Sequence, residues 1–232
     1  RIWNYSSNIL EKLTLLHSKK RIDIIHIHGA WMHPQYAAAK FSDKNNIPFL
    51  ITFHGMLEPW LWKKSRIKKK IYFKYFAKNF FIKAKFLHAI TPMEAQELKK
   101  LFPQNDIKVI PNLINTYSNN IEAVFNKKYI LYLGRLDEKK GIDKLIRAFS
   151  KIKPNNISLK IAGAFNEYKK ELDLIVKELK LENKIDFLGL VVKQKKEELF
   201  KNAFVFVAPS HSEVIGMVNL EAAILQTPVI TT

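Results

Sequence analysis

No cysteine occurs among the 232 residues. A disulfide framework and a thiolate zinc site are therefore excluded, and the chain is compatible with a reducing compartment. No apolar run approaches the ~18 residues of a membrane-spanning helix. The opening RIWNYSSNIL lacks the charged-then-apolar layout of a secretory signal. An initiator methionine is also missing, and the closing TPVITT stops in what reads as a buried strand. The sequence is thus expected to be a piece of a longer chain. Acidic residues are scarce, 21 against 39 Lys and Arg, for a net charge of +18. That balance suits nucleic acid, an anionic membrane or a phosphorylated substrate, and by itself does not choose among them. A phosphate-cradling GxxxxGK[ST], a dinucleotide-binding GxGxxG, an Asp-X-Asp pair and the RRM, KH and zinc-finger signatures are all absent.

What is present is ordinary globular composition, 47% apolar and 26% charged, at a length that fits one large or two modest domains. Short β-branched runs alternate with longer helical patterns in both halves, which predicts α/β architecture with parallel sheets covered on both faces. In the first half an amphipathic helix is expected over 3–16, then strands at IDIIHIHG and PFLITFHG, a basic helical region, the run LHAIT, a helix from Pro92 and the strand IKVIP. Thr91-Pro92-Met93-Glu94 reads as a capping box with proline at the first helical position. The asparagine-rich stretch from Asn112 to Lys128 reads as a linker. We therefore expect a first domain over 1–115, a linker over 116–127 and a second domain over 128–232. The second half carries strands at YILYLG, ISLKIAG, KIDFLG, FVFVAPS and PVITT, with helical patterns between them.

Ligands in such folds collect beyond the carboxyl ends of the strands. Four glycines stand there in polar company: Gly29 after His28, Gly55 after His54, Gly134 before Arg135, and Gly216 at a loop-to-helix junction. In GRLDEKKG, Gly134 lets the backbone leave the sheet sharply, and Arg135 follows at the exit. Lys140 sits just before the next helix, where free amides and the helix dipole favour an anion. Arginine plus lysine there make a diphosphate clamp or, equally, a solvated turn. In SEVIGMVNLE, Glu213 precedes the helix expected from Gly216 and Glu221 lies more than a turn inside it. Carboxylates beside a phosphate site suit neutral sugar and ribose hydroxyls; the plainer reading is a capping Glu213 and a surface Glu221.

Taken in order, these motifs resemble the GT-B-fold retaining glycosyltransferases of family 4, of the bacterial polysaccharide-assembly type. The likeness rests on Gly134, Arg135, Lys140 and Gly141; on Glu213 and Glu221, separated by seven residues, the second opening EAAILQTPVIT; and on HIHGAW, TFHGMLEPW, KKKIYFKYF and HAITPMEAQEL. It covers nearly the whole chain. It implies two Rossmann-like domains facing a crevice, both truncated here, and transfer of a sugar from a nucleoside diphosphate sugar to a saccharide or lipid-linked acceptor. Retention of configuration, independence from any metal and a part in surface polysaccharide biosynthesis are implied as well, with no cofactor. Arg135 and Lys140 would hold the donor diphosphate and Glu221 the ribose. Glu213 with the Gly216 and Met217 amides would contact the transferred sugar. His54 would approach it near the reacting carbon, and His28 and Gly29 would line the acceptor side. The sequence departs from the family pattern at Ile215, where an aromatic residue is usual, and at Pro111-Asn112-Leu113, where the third residue is usually glycine.

From Leu61 to Met93 no acidic residue occurs, while lysines interleave with Ile, Phe and Tyr. The basic 63–85 region therefore suits contact with an anionic membrane, placing the enzyme in the cytoplasm at the inner face of the cell membrane. Packing of that region on its own domain is the rival reading. Trp60 and Trp62 beside it suit either an acceptor crevice or a core. Two other functions remain open: a sugar-nucleotide epimerase or hydrolase on the same fold, and a basic nucleic-acid-binding protein. Nucleic acid is not the expected partner.

Overall fold

The computed structural model describes residues 2–59, 66–114, 129–152, 157–211, 213 and 215–232. The expected linker, Trp60 and Trp62 lie outside the described residues. Two compact units divide the chain, 1–112 and 113–232.

The first unit starts with a short 3-10 helix, Ile2–Asn4, in which Trp3 and Asn4 have φ of 60° and 45°. The helix α1 follows only at Ile9–Lys19. The continuous helix expected from residue 3 is thus broken at Ser6-Ser7-Asn8. The Ser6 amide donates to His33 Nδ1 at 3.5 Å rather than to a helical carbonyl, and Ser7 Oγ bonds to Asn8 Oδ1 at 2.6 Å. Four parallel strands then alternate with helices: β1 Ile25–His28, α2 His33–Lys44, β2 Phe49–Thr52, α3 Arg66–Tyr72, α4 Lys78–Phe81, β3 Phe86–Ala89, α5 Pro92–Leu101 and β4 Ile107–Val109. The sheet order is β1-β2-β3-β4. Ile27, Ile51 and Leu87 lie side by side across three strands on the buried face, where Phe53 stacks on Phe102. A π-helical turn, Phe73–Ala77, joins α3 to α4; Phe73 and Ala77 are buried, whereas Tyr75 and Phe76 are exposed.

The second unit contains β5 Tyr129–Leu133, α6 Ile142–Lys151, β6 Ser158–Ala162, α7 Tyr168–Glu178, β7 Ile185–Gly189, α8 Lys193–Lys201, β8 Ala203–Ala208, α9 Met217–Ile224 and β9 Val229–Thr231. Its strands are parallel and ordered β7-β6-β5-β8-β9. The chain builds outward from β5 through β6 to β7, then crosses back to lay β8 against the other side of β5. Adjacent strand ends at such a reversal open a crevice, so the β5 and β8 termini are where a ligand is expected. Helix α6 shows why the core forms here: Ile142, Leu145, Ile146 and Phe149 are all buried, spaced to make one apolar stripe. Burying each stabilises the fold by about 1.5–3 kcal/mol.

Gly141 joins this core to the loops above it. Its φ is +64°, and a Cβ built on it would lie 2.1 Å from the Pro209 carbonyl oxygen. Both the left-handed backbone and the close approach of the loop after β8 require glycine. Gly141→Ala should cost about 1–3 kcal/mol, read by urea unfolding; an unchanged midpoint would show that the two loops can separate freely.

Candidate active site

In the second unit the loop from Gly134 to Gly141 is held on all sides. The Gly134 amide donates to the Ala162 carbonyl at 2.9 Å. The Tyr132 hydroxyl donates to the Arg135 carbonyl at 2.8 Å, and Asn166 Nδ2 to the Leu136 carbonyl at 2.7 Å. Asp137 Oδ1 accepts from the Lys139 amide at 2.9 Å and caps the short 3-10 helix Glu138–Lys140. Gly163 is needed beneath, since a Cβ there would stand 2.1 Å from the Gly134 oxygen. The loop after β8 is joined to this one by the His211 amide, which donates to the Lys139 carbonyl at 2.8 Å.

These constraints shape a pocket of about 330 Å³ between the β5 and β8 ends, lined by Gly134, Arg135, Lys140, Glu213, Gly216 and Met217 among others. All six are residues singled out from the sequence. Lys140 Nζ and Glu213 Oε2 form a close ion pair across it, while Arg135 is exposed and makes no ion pair among the described residues. Helix α9 opens at Gly216, as expected, and Ile215 takes its place in the lining. The Met217 amide is engaged by the Ile215 carbonyl at 3.0 Å, so the free amides expected at this helix start are partly satisfied. Tyr132 stands at the base, its phenol raised well above its ordinary value by burial, with the Glu213 carboxylate adding to the effect.

Glu221 is the member of the expected donor set that does not line this pocket. It sits on α9, where its Oε2 is buried against Lys196 Nζ of α8 in an ion pair. Lys196 was not legible as a partner, because α8 and α9 are joined through β8 and only the packed fold brings them together. The pair is largely withdrawn from water, so removing one charge alone should cost more than removing both. Lys196→Met should destabilise by about 1–3 kcal/mol, with most of that recovered in Lys196→Met/Glu221→Leu. A double-mutant cycle on thermal unfolding reads the coupling, and additive effects would show the contact to be incidental.

In the first unit His28, at the end of β1, and His54, just after β2, meet through His28 Nδ1 and His54 Nε2 at 2.8 Å, their rings stacked. The adjoining glycines both have positive φ, Gly29 at 85° and Gly55 at 69°. His54 itself is left-handed at 52°, an uncommon conformation that needs support. Glu94 supplies it. This buried carboxylate accepts from the Gly55 amide at 2.6 Å and the Ile90 amide at 2.8 Å. The expected capping box at Thr91 is therefore only half present. Thr91 Oγ1 does accept from the Glu94 amide at 3.1 Å, but the glutamate side chain turns away to hold the His54-Gly55 turn. Burial pushes the His54 imidazole below its ordinary value; the neighbouring His28 pushes the same way, and Glu94 opposes it.

The chain matches two glycosyltransferase families end to end. Residues 114–232 match the glycosyl transferases group 1, and residues 2–117 match glycosyltransferase family 4. An uncharacterised glycosyltransferase of Methanocaldococcus jannaschii is 31% identical over 215 residues, which cover 91% of this chain and 56% of that protein. The O-antigen chain mannosyltransferase RfbU of Salmonella typhimurium is 26% identical over 226 residues, covering 92% of this chain and 63% of its own. Anabaena HepE, solved in complex with UDP and glucose, superposes with a TM-score of 0.74 at 20% identity, over 94% of this chain and 61% of HepE. That likeness establishes the fold, two parallel-sheet units of the GT-B class. The chain spans from about a third to a little over half the length of the first curated relatives it matches, 36% of one and 56% of the next. Over both of its halves, this chain belongs to the glycosyltransferases, family 4 in the first and group 1 in the second.

Proposed function

We propose that the protein to which this chain belongs transfers a sugar from a nucleoside diphosphate sugar to a saccharide or lipid-linked acceptor, with retention of configuration and in surface polysaccharide assembly. The observation that carries this reading is the pocket at the β5 and β8 ends, which gathers Arg135, Lys140, Glu213 and the start of α9 at the reversal point of a parallel sheet. HepE, which shares the fold, was solved with UDP and glucose, and RfbU bears the name of an O-antigen chain mannosyltransferase.

The ion pair of Lys140 with Glu213 neutralises both groups and leaves the Arg135 charge in the lining without an ion pair among the described residues. An arriving diphosphate competes for Lys140 and joins Arg135. Glu213, released, is then free to accept hydrogen bonds from sugar hydroxyls. As the glycosidic bond breaks, negative charge grows on the leaving diphosphate. Two fixed cations stabilise that state more than the ground state, so no metal is required in this reading. Glu221, with Oε2 held by Lys196, keeps Oε1 for the ribose hydroxyls. In the same reading the family likeness assigns His54 to the transferred sugar and His28 and Gly29 to the acceptor.

An acceptor carried by lipid suits the basic face of the first unit. Lys68, Lys69, Lys70, Lys74 and Lys78 alternate with the exposed Ile67, Ile71, Tyr75 and Phe76 over α3, the π-helical turn and the start of α4. Trp3, Trp31, Tyr72 and Phe76 line a pocket of about 610 Å³ beside Lys68 and Lys69. Apolar side chains among lysines are the chemistry of peripheral contact with an anionic bilayer. No helix among the described residues is long and apolar enough to cross a membrane.

Thermal unfolding of the intact parent protein with UDP, GDP, ADP, CMP and their sugar conjugates should show stabilisation by one diphosphate. That shift should vanish in Arg135→Ala, whose unliganded melting temperature should stay near the wild-type value. No shift with any nucleotide would overturn the donor-site reading. Sedimentation with phosphatidylglycerol vesicles should carry the wild type down and leave Lys70→Glu/Lys74→Glu in solution; equal partition of both would remove the membrane contact.

A further inference from the structure

Four imidazoles, not two, share one face of the first sheet. His26 and His28 lie two residues apart on β1 and so point the same way. The register pairs His28 with Thr52, and Thr52 with His88 on β3. Thr52 is fully buried between them. His26 Nε2 lies 2.7 Å from Thr52 Oγ1, which lies 2.8 Å from His88 Nδ1; His88 Nε2 lies 2.7 Å from the Ile110 carbonyl. The His26 ring lies against that of His28, 4.0 Å between centroids and tilted by 33°, and His28 bonds to His54.

The proton positions along this chain follow from its last member. A carbonyl oxygen only accepts, so His88 Nε2 carries a proton. In the neutral ring Nδ1 then accepts, and the hydroxyl of Thr52 must donate to it. Having spent its one proton, Thr52 Oγ1 can only accept from His26, whose Nε2 is therefore protonated and whose Nδ1 holds the lone pair. A backbone carbonyl on the far side of the sheet dictates the tautomer of a histidine three strands away.

We infer that Thr52 and His88 are positioning residues, which hold His26 in its Nε2–H tautomer as a fixed plate against His28 and so fix the His28–His54 pair at the strand end. The inference rests on the proposed function only in taking His54 as the histidine nearest the transferred sugar. With Nε2 engaged by His28, His54 has Nδ1 left, which makes no hydrogen bond among the described residues. Fixing the ring thus decides where that nitrogen points.

The cluster also couples the charges of its members. The groups facing His54 are His28 on β1, His88 on β3 and Glu94 on α5, and those facing His26 are His28, His88 and His54. Each added proton repels the next, and burial together with that repulsion lowers both His26 and His54. His54 consequently stays neutral to a lower pH than an isolated histidine. Replacing His88 by a neutral side chain removes one competing charge, so the His54 midpoint should move up.

The test is long-range proton–nitrogen correlation on the 15N-labelled intact parent protein, which reads each ring nitrogen directly and needs neither donor nor acceptor. His26 and His88 should both appear as single Nε2–H tautomers. Thr52→Val should turn His26 into a mixture, and Thr52→Ser should restore the single form. An Nδ1–H tautomer at His26 in the wild type would overturn the inference, as would a Thr52→Val spectrum identical to wild type at His26. Should the valine variant fail to fold, the wild-type tautomers and the His88→Gln titration decide. In His88→Gln the His54 midpoint should rise, and in the intact enzyme the acid limb of kcat/KM should move to higher pH with KM unchanged. A His54 midpoint that stays put would sink the coupling. If the tautomers hold while no nucleotide binds, the relay stands and the donor-site reading alone fails.

Discussion

Parallel strand pairing is the constraint from which the rest of this molecule follows. Two parallel neighbours need a crossover long enough to return the chain to the starting edge, and a helix is the usual solution. All nine strands described here pair in parallel, and so their carboxyl ends fall on one edge of each sheet. The loops leaving that edge from the inner strands start from buried backbone and need a way to turn sharply. Gly29, Gly55, Gly134 and Gly141 stand at such turns. The functional side chains are therefore concentrated by topology before any of them is specified.

Within that frame, the two units solve the problem of rigidity differently. In the second, the loops carrying Lys140 and Glu213 are fixed by backbone and side-chain bonds and by two glycines where another backbone passes too close for a Cβ. In the first, a single buried carboxylate, Glu94, accepts two backbone amides and holds a left-handed histidine in place. A carboxylate bonded to backbone amides is a strong anchor, because these are charge-assisted hydrogen bonds. Both solutions fix the backbone that carries the site's side chains. This economy explains why Asn166, Gly163 and Glu94 matter as much to the geometry as the residues that line the site.

Much of the candidate site was open to sequence reading because its residues sit close together along the chain. Gly134, Arg135 and Lys140 fall within one loop, and Glu213, Gly216 and Met217 within another, so spacing and turn chemistry were enough to single them out. The same reading found His28 and His54 from their place after apolar runs and before glycine. His26 carried a signal as well, since IHIH puts His26 and His28 on one face of a strand. His88 offered only a histidine in a short run, LHAIT. The half-formed capping box shows a limit of local motifs: Thr91 and Glu94 have the right spacing, yet a turn 39 residues away takes the carboxylate.

By itself, the sequence determined the α/β class, the alternation of strands and helices, and the loops that bear the charged groups. These depend on periodicity and on turn residues, which act within a few positions of one another. Only the tertiary structure decided the strand order, the pairing of Lys196 with Glu221 and of Lys140 with Glu213, and the relay from Ile110 through His88 and Thr52 to His26. Each joins residues far apart in the chain, through contacts whose partners are chosen by packing two sheets and their helices. A local pattern records which face a residue occupies, whereas which side chain it meets there is set when the strands take their order.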